Sequence, residues 1–150
     1  MKRKTILYSF ITVIVILAGL CFFAFREYNR KHVDVAEKPA AYTLSSADFI
    51  KAFSTDEKAA NSLYLDKVVA ISGTVKSVDK DERSSITVIL SDAGSMSSVR
   101  CSIDSMHNEE TENLVSGSKV TVKGVCTGFN ADELLGSDVI LNRCSIKNNP

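Results

Sequence analysis

With two histidines in 150 residues and no pair of cysteines in C-x-x-C spacing, the chain is poorly equipped for catalysis or metal binding. His32 and His107 have no nucleophile or carboxylate partner at a meaningful sequence spacing, so no acid–base or nucleophilic pair is legible. A zinc site would have to draw Cys101, Cys126, Cys144 and His107 from four separate elements. Asp79, Asp81 and Glu82 cluster, but the further ligands and the glycine of a calcium loop are missing, and the group reads as a solvated turn. No internal repeat or low-complexity tract is present. These absences point away from an enzyme and away from a bound cofactor or metal.

Charge is missing over residues 5–25, a run of twenty-one positions. At helical rise it reaches about 31 Å, the thickness of a bilayer's hydrocarbon core. A secretory signal has a shorter apolar centre and small residues at its cleavage site, whereas this run ends in Phe22, Phe23, Ala24 and Phe25. Residues 17–21 resemble a lipid-attachment box around Cys21, but bulky Leu20 stands where that box needs a small residue. The run therefore reads as an uncleaved transmembrane anchor, with lipid attachment at Cys21 and plain cleavage as the other readings. Lys2, Arg3 and Lys4 lie directly before it; Arg26, Arg30, Lys31 and Lys38 are spread more thinly after it. The denser positive end favours a cytoplasmic tail at 1–4 and an extracytoplasmic domain.

The formal net charge of zero conceals two opposed halves. Up to Tyr42 seven Lys/Arg face three acids, giving +4; from Thr43 onward eleven face fifteen, giving −4. The basic part is expected to meet lipid head groups, and the acidic part repels phosphate backbones. Residues 26–42 form a tether containing Pro39, and 43–147 leave room for one core.

Ser45 and the Ser54–Glu57 capping-box pattern open two short helices whose Phe49, Phe53 and Tyr64 are expected to cover the open end or side of a sheet. The remainder alternates as strands at 68–78, 86–90, 98–103, 119–126 and 138–146, with a helix-compatible stretch at 106–115 before the fourth. Gly73 marks a bend or bulge in the first strand, and Gly124 echoes it in the fourth. A long bent first strand, and a helix between the third and fourth, give the order of a mainly β, five-stranded OB-fold barrel.

The residues that carry this order include Asn61, Tyr64, Lys67, Ser72, Gly73 and Val75, followed by Val99 and Cys101. Gly117, Lys119, Gly124, Cys126 and Gly128 come next, and the series closes with Asp138 and Cys144. Over residues 44–147 the chain resembles the bacterial tRNA-anti-like OB-fold family, which implies short proteins behind a signal or membrane segment. The family name implies nucleic-acid binding, but fold alone does not carry function.

OB domains that hold single strands stack bases on aromatics in a basic groove. Here the second and third strands contain no aromatic residue and only one basic residue, Arg100. The first loop, with Arg83, is net acidic, and the last loop offers Phe129 beside Asp132 and Glu133. Nucleic acid is thus an unlikely partner. The expectation is a non-catalytic interaction module of the cell envelope, binding an envelope protein or a small ligand through Arg83, Arg100 and Phe129. Single-strand binding by the same face is the alternative. Outside the cytoplasm a disulfide is permitted, Cys101 with Cys144 or alternatively Cys126 with Cys144; three reduced thiols are the other reading.

Overall fold

A computed structural model describes residues 16–23, 25, 34–82, 84–92, 94–132 and 136–148. The chain divides into two units, Met1–Val33 and Asp34–Pro150. In the first, residues 16–23 and 25 are helical and exposed; the rest of the expected anchor at 5–25, and the tail at 1–4, lie outside the described residues. No helix among the described residues is long and apolar enough to cross a membrane.

The second unit begins with a turn at residues 35–37, in the stretch that the sequence reads as tether, and a short strand, β1 (Tyr42–Ser45), that starts at the tether's last residue. Two helices follow, α1 (Ser46–Thr55) and α2 (Glu57–Tyr64). Ser45 caps α1 by accepting from the Asp48 amide at 3.1 Å. The cap of α2 is Asp56, which accepts from the Ala59 amide at 2.9 Å, and not Ser54 as the box pattern suggests. Both caps satisfy amide groups that the helix itself leaves open.

The barrel strands are β2 (Val68–Lys80), β3 (Ile86–Leu90), β4 (Ser98–Ile103), β5 (Lys119–Asn130) and β6 (Asp138–Asn148). The element before β5 is a 3-10 helix, η1 (Ser105–Thr111), shorter than the stretch expected there. The pairing order β1-β2-β3-β4-β6-β5, with β2 also paired to β5, closes a five-stranded ring to which β1 adds an outer parallel strand. β4 and β6 run parallel; the other neighbours within the ring are antiparallel. Strand β6 thus lies between β4 and β5, the position the OB order requires.

Strand β2 serves two partners, β5 through residues 68–74 and β3 from Val75 onward. The bend falls where the glycine signalled it, but the extra residue is Lys76, between the pairs Val75↔Leu90 and Ser77↔Ile89. Gly73 instead makes room for a helix, because a Cβ there would sit 2.8 Å from the hydroxyl oxygen of Ser46, the buried first residue of α1. Gly124 is likewise a point of close approach, since its Cβ would meet the Cys144 sulfur at 2.5 Å.

Inward-facing Val69, Ile71, Val75, Val88, Leu90, Val99, Val122, Val139 and Leu141 fill the ring, and Phe49 and Phe53 of α1 pack with them in one core. Phe49 makes edge contacts with Phe53 and with Tyr64, each at a centroid distance of 5.3 Å. Such pairs add roughly 0.5–1.5 kcal/mol each beyond the area they bury. The helices therefore cover the barrel as the apolar spacing predicts.

Filling the space at Gly124 tests this packing. Gly124→Ala is expected to destabilise the barrel by about 1–3 kcal/mol through overpacking. In a Cys144→Ala background the same change is expected to cost less, because the opposing sulfur is gone. Guanidinium unfolding of the four members of the cycle measures the coupling; equal costs in both backgrounds refute the contact.

Candidate ligand-binding face

The outer face of β3 and β4 is where the sequence places a ligand. Register aligns Ser77, Ile89, Arg100, Ile140 and Gly128 in one row across β2, β3, β4, β6 and β5. A second row pairs Asp79, Thr87 and Ser102. Ile89 is buried although it points outward, and Arg100 is the exposed member of its row.

Arg100 does not present a free charge. Its Nε donates to Asp138 Oδ2 at 2.8 Å, and the Ser98 hydroxyl donates to the other carboxylate oxygen. Register explains the pairing: Asp138 opens β6 directly beside Ser98, two residues before Arg100 on the parallel strand. The Arg100 side chain remains 49% exposed, so the pair contributes little to stability but does cancel the local charge.

Phe129 is not on this face. It stacks on Phe53 of α1 at 5.3 Å with the planes 25° apart, half-buried against the core. The cause is one extra residue, Thr127, between the pairs Cys126↔Leu141 and Gly128↔Ile140. A one-residue insertion reverses the side of every later residue, so Gly128 points outward and Phe129 inward. The Thr127 hydroxyl donates to the Ile140 carbonyl at 3.3 Å and accepts from Asn142 Nδ2 at 3.2 Å, which ties the bulge across the strands. Arg83, the third expected site residue, lies outside the described residues. Arg100 and Phe129 are therefore not brought together as a stacking platform.

At one end of the face the β3–β4 turn is held by serines that no sequence motif singles out. Ser91 Oγ donates to the Ser97 carbonyl at 2.9 Å, and Ser97 Oγ accepts from the Ser137 amide at 3.1 Å, so two loops are joined. Met96 between them is 66% exposed. Gly94, at φ 84°, marks the turn in the sequence, and the recurrence of serine at 91, 95 and 97 accompanies it.

Cys101, Cys126 and Cys144 are free thiols buried in the barrel, and Cys21 is a free, exposed thiol outside it. The neighbouring Cys101 thiol, together with burial, raises the Cys144 thiol well above its ordinary range. Burial pushes Cys126 up to about 11. Such thiols are poor nucleophiles and poor metal ligands. Cys126 pairs in register with Leu141, because β5 runs on to Asn130. Among the described residues no three His, Cys, Asp or Glu side chains are placed to hold a metal ion.

His107, for which the sequence reading names no carboxylate partner, lies between two, Asp34 and Glu110. Glu110 is three residues on and within reach of a local reading; Asp34 is 73 residues away and is not.

If Phe129 is a core residue, Phe129→Ala is expected to lower stability by about 1–3 kcal/mol, less than a fully buried phenylalanine loses. Thermal unfolding checks this, and an unchanged midpoint refutes the inward placement.

The profile of the tRNA_anti-like family matches residues 1–146. No curated protein matches the chain in sequence. A solved structure described as a putative nucleic acid-binding lipoprotein from Klebsiella pneumoniae subsp. pneumoniae is similar at 20% identity, over 73% of this chain and 99% of that one, with a TM-score of 0.57. The asparaginyl-tRNA synthetase of Pyrococcus horikoshii is similar over 57% of this chain at 19% identity and a TM-score of 0.40, and only 21% of its own length is covered. At 20% identity the likeness to the Klebsiella pneumoniae protein is one of fold. With a closed barrel in OB order and a match over almost its whole length, the chain belongs to the tRNA_anti-like family.

Proposed function

We propose that this chain is a non-catalytic OB-fold interaction module, anchored in the cytoplasmic membrane by residues 5–25, with its barrel on the extracytoplasmic side. Its partner is an envelope protein or a small ligand. The observation that carries the choice of partner is the state of the binding face. Its one basic side chain on β3 and β4 is paired with Asp138, and Phe129, the aromatic expected beside it, is turned into the core. Stacking contributes roughly 1–3 kcal/mol per base and phosphate neutralisation most of the rest, so a face with neither has little hold on a single strand. The anchor rests on the uncharged run and on its flanking charges, and the family profile takes in that run as well as the barrel.

Single-strand binding is the second reading. It is favoured by the family name and by the description of the Klebsiella pneumoniae protein. Fluorescence anisotropy of the detergent-solubilised chain with labelled single-stranded DNA and RNA at low salt separates the two. No binding is expected at micromolar protein; tight, salt-sensitive binding that Arg100→Ala abolishes overturns the first reading in favour of the second.

Orientation has its own test. Alkaline phosphatase fused after Pro150 is expected to be active, since that enzyme matures only outside the cytoplasm. An inactive fusion that is nonetheless made and membrane-bound reverses the topology.

A further inference from the structure

The segment just before β1 is held on the barrel by buried Val35, by Lys123 and by one histidine, His107. Val35 is buried to 3% exposure in a turn closed by the Lys38 amide donating to the Val35 carbonyl at 3.2 Å. The Ala36 amide donates to Asp34 Oδ1 at 2.8 Å, and Lys123 Nζ of β5 donates to the Ala36 carbonyl at 2.9 Å. Asp34 then reaches His107 of η1, whose Nε2 lies 2.9 and 3.1 Å from the two carboxylate oxygens. The other ring nitrogen, Nδ1, lies 2.8 Å from Glu110 Oε1. The second oxygen of Glu110 accepts from the Ile146 amide of β6, which fixes that carboxylate in place.

We propose that this arrangement is a pH-operated latch: with His107 as imidazolium, the segment 34–38 is held on the barrel, and loss of the proton releases it.

With a proton on each ring nitrogen, both carboxylates accept a hydrogen bond from the ring. A neutral imidazole has one donor, so one of the two carboxylates would face a lone pair instead. Glu110 is fixed by β6, whereas Asp34 belongs to a short surface segment, so Asp34 is the partner that leaves. The groups facing the ring are Asp34 on the segment and Glu110 on its own element; Lys123 acts on Asp34. The hydrogen bond to Asp34 is the largest cause raising the His107 pKa, opposed by burial and assisted by the charges of Glu110 and Asp34. The same hydrogen bond is the largest cause holding the Asp34 carboxyl below its usual range.

The sign follows. A histidine whose docked pKa is raised stabilises docking fully below the ordinary value of 6.5, and that contribution is lost as pH rises through the docked pKa. Between the two values each opening releases one proton, so the opening constant rises up to about tenfold per pH unit and then levels off. Release frees residues 34–40, which at about 3.4 Å per extended residue span up to about 24 Å. The latch requires no ligand on the barrel face and stands whatever that face binds.

Hydrogen exchange of the full chain in detergent, between pH 5 and 8 and corrected for intrinsic exchange rates, reads the opening of residues 34–38. Protection is expected to fall about tenfold per unit above pH 6.5 and then to plateau. His107→Gln is expected to remove the pH dependence, and Asp34→Asn to bring the His107 imidazole NMR titration back toward 6.5 while circular dichroism shows the barrel intact. Flat protection in the unmodified chain overturns the latch. So does a pH dependence that survives His107→Gln, or an imidazole titration that Asp34→Asn leaves unmoved.

Discussion

A ring of five strands closes only when a strand can hand its hydrogen bonds from one neighbour to another, and here β2 makes that transfer between Gly73 and Ser77. Its first half pairs with β5 and its second with β3. The extra residue at Lys76 increases the local twist that the change of direction needs. The turn is fastened from the far side: the Val75 amide donates to the Ser118 carbonyl and the Gly117 amide to the Val75 carbonyl. Gly73 leaves room beside the bend for the start of α1, so the helix whose Phe49 and Phe53 enter the core is seated by the residue that opens the corner. Closure, corner and cover depend on one short stretch of β2.

The same mechanism, an added residue in a strand, decides what the barrel shows to solvent. Thr127 in β5 turns Phe129 inward; Arg143 in β6, at φ 53°, does the converse for the cysteine. Strict alternation from Leu141 would bury Arg143 and expose Cys144. With one residue inserted between the pairs Val125↔Asn142 and Lys123↔Ser145, the guanidinium stays outside and the thiol goes into the core beside Gly124. A left-handed arginine costs on the order of 1–2 kcal/mol, far less than burying an unpaired charge.

This is also why the sequence was legible for the fold and poorly legible for the face. Alternating valines and isoleucines, the glycines at 73 and 124 and the helix caps report local preferences, and they located five strands and two helices within a few residues. Bulges interrupt the alternation without a compositional mark, since Thr127 and Arg143 look like any other strand residue. Phe129 thus read as a loop aromatic when it is part of the cover. The short strand β1 was hidden for a different reason: Tyr42, Thr43 and Leu44 pair in parallel with Val69, Ala70 and Ile71, and that neighbour decides their conformation. Arg100 and Asp138 were each visible, but their pairing depends on β4 and β6 lying parallel in one register.

Long-range pairing of charges is likewise what the sequence leaves unread at His107. Its element is a 3-10 helix with a non-helical residue at His107 itself, φ −117° and ψ 15°, so the ring is aimed by a kink rather than by helical periodicity. The Asp104 side chain caps the start of that element by accepting from the Met106 amide, while its backbone amide donates to the Cys144 carbonyl, anchoring η1 to β6. Glu110 is held to β6 by the Ile146 amide further along. The imidazole therefore sits on a frame fixed at two points of one strand. Of its two carboxylate partners Asp34 arrives on a short segment held otherwise by Val35 and by the Lys123 bond to the Ala36 carbonyl. A rigid cation meeting one fixed and one movable anion places any loss of charge on the movable side, so the ordering of residues 34–38 is set by the protonation of a residue in the barrel.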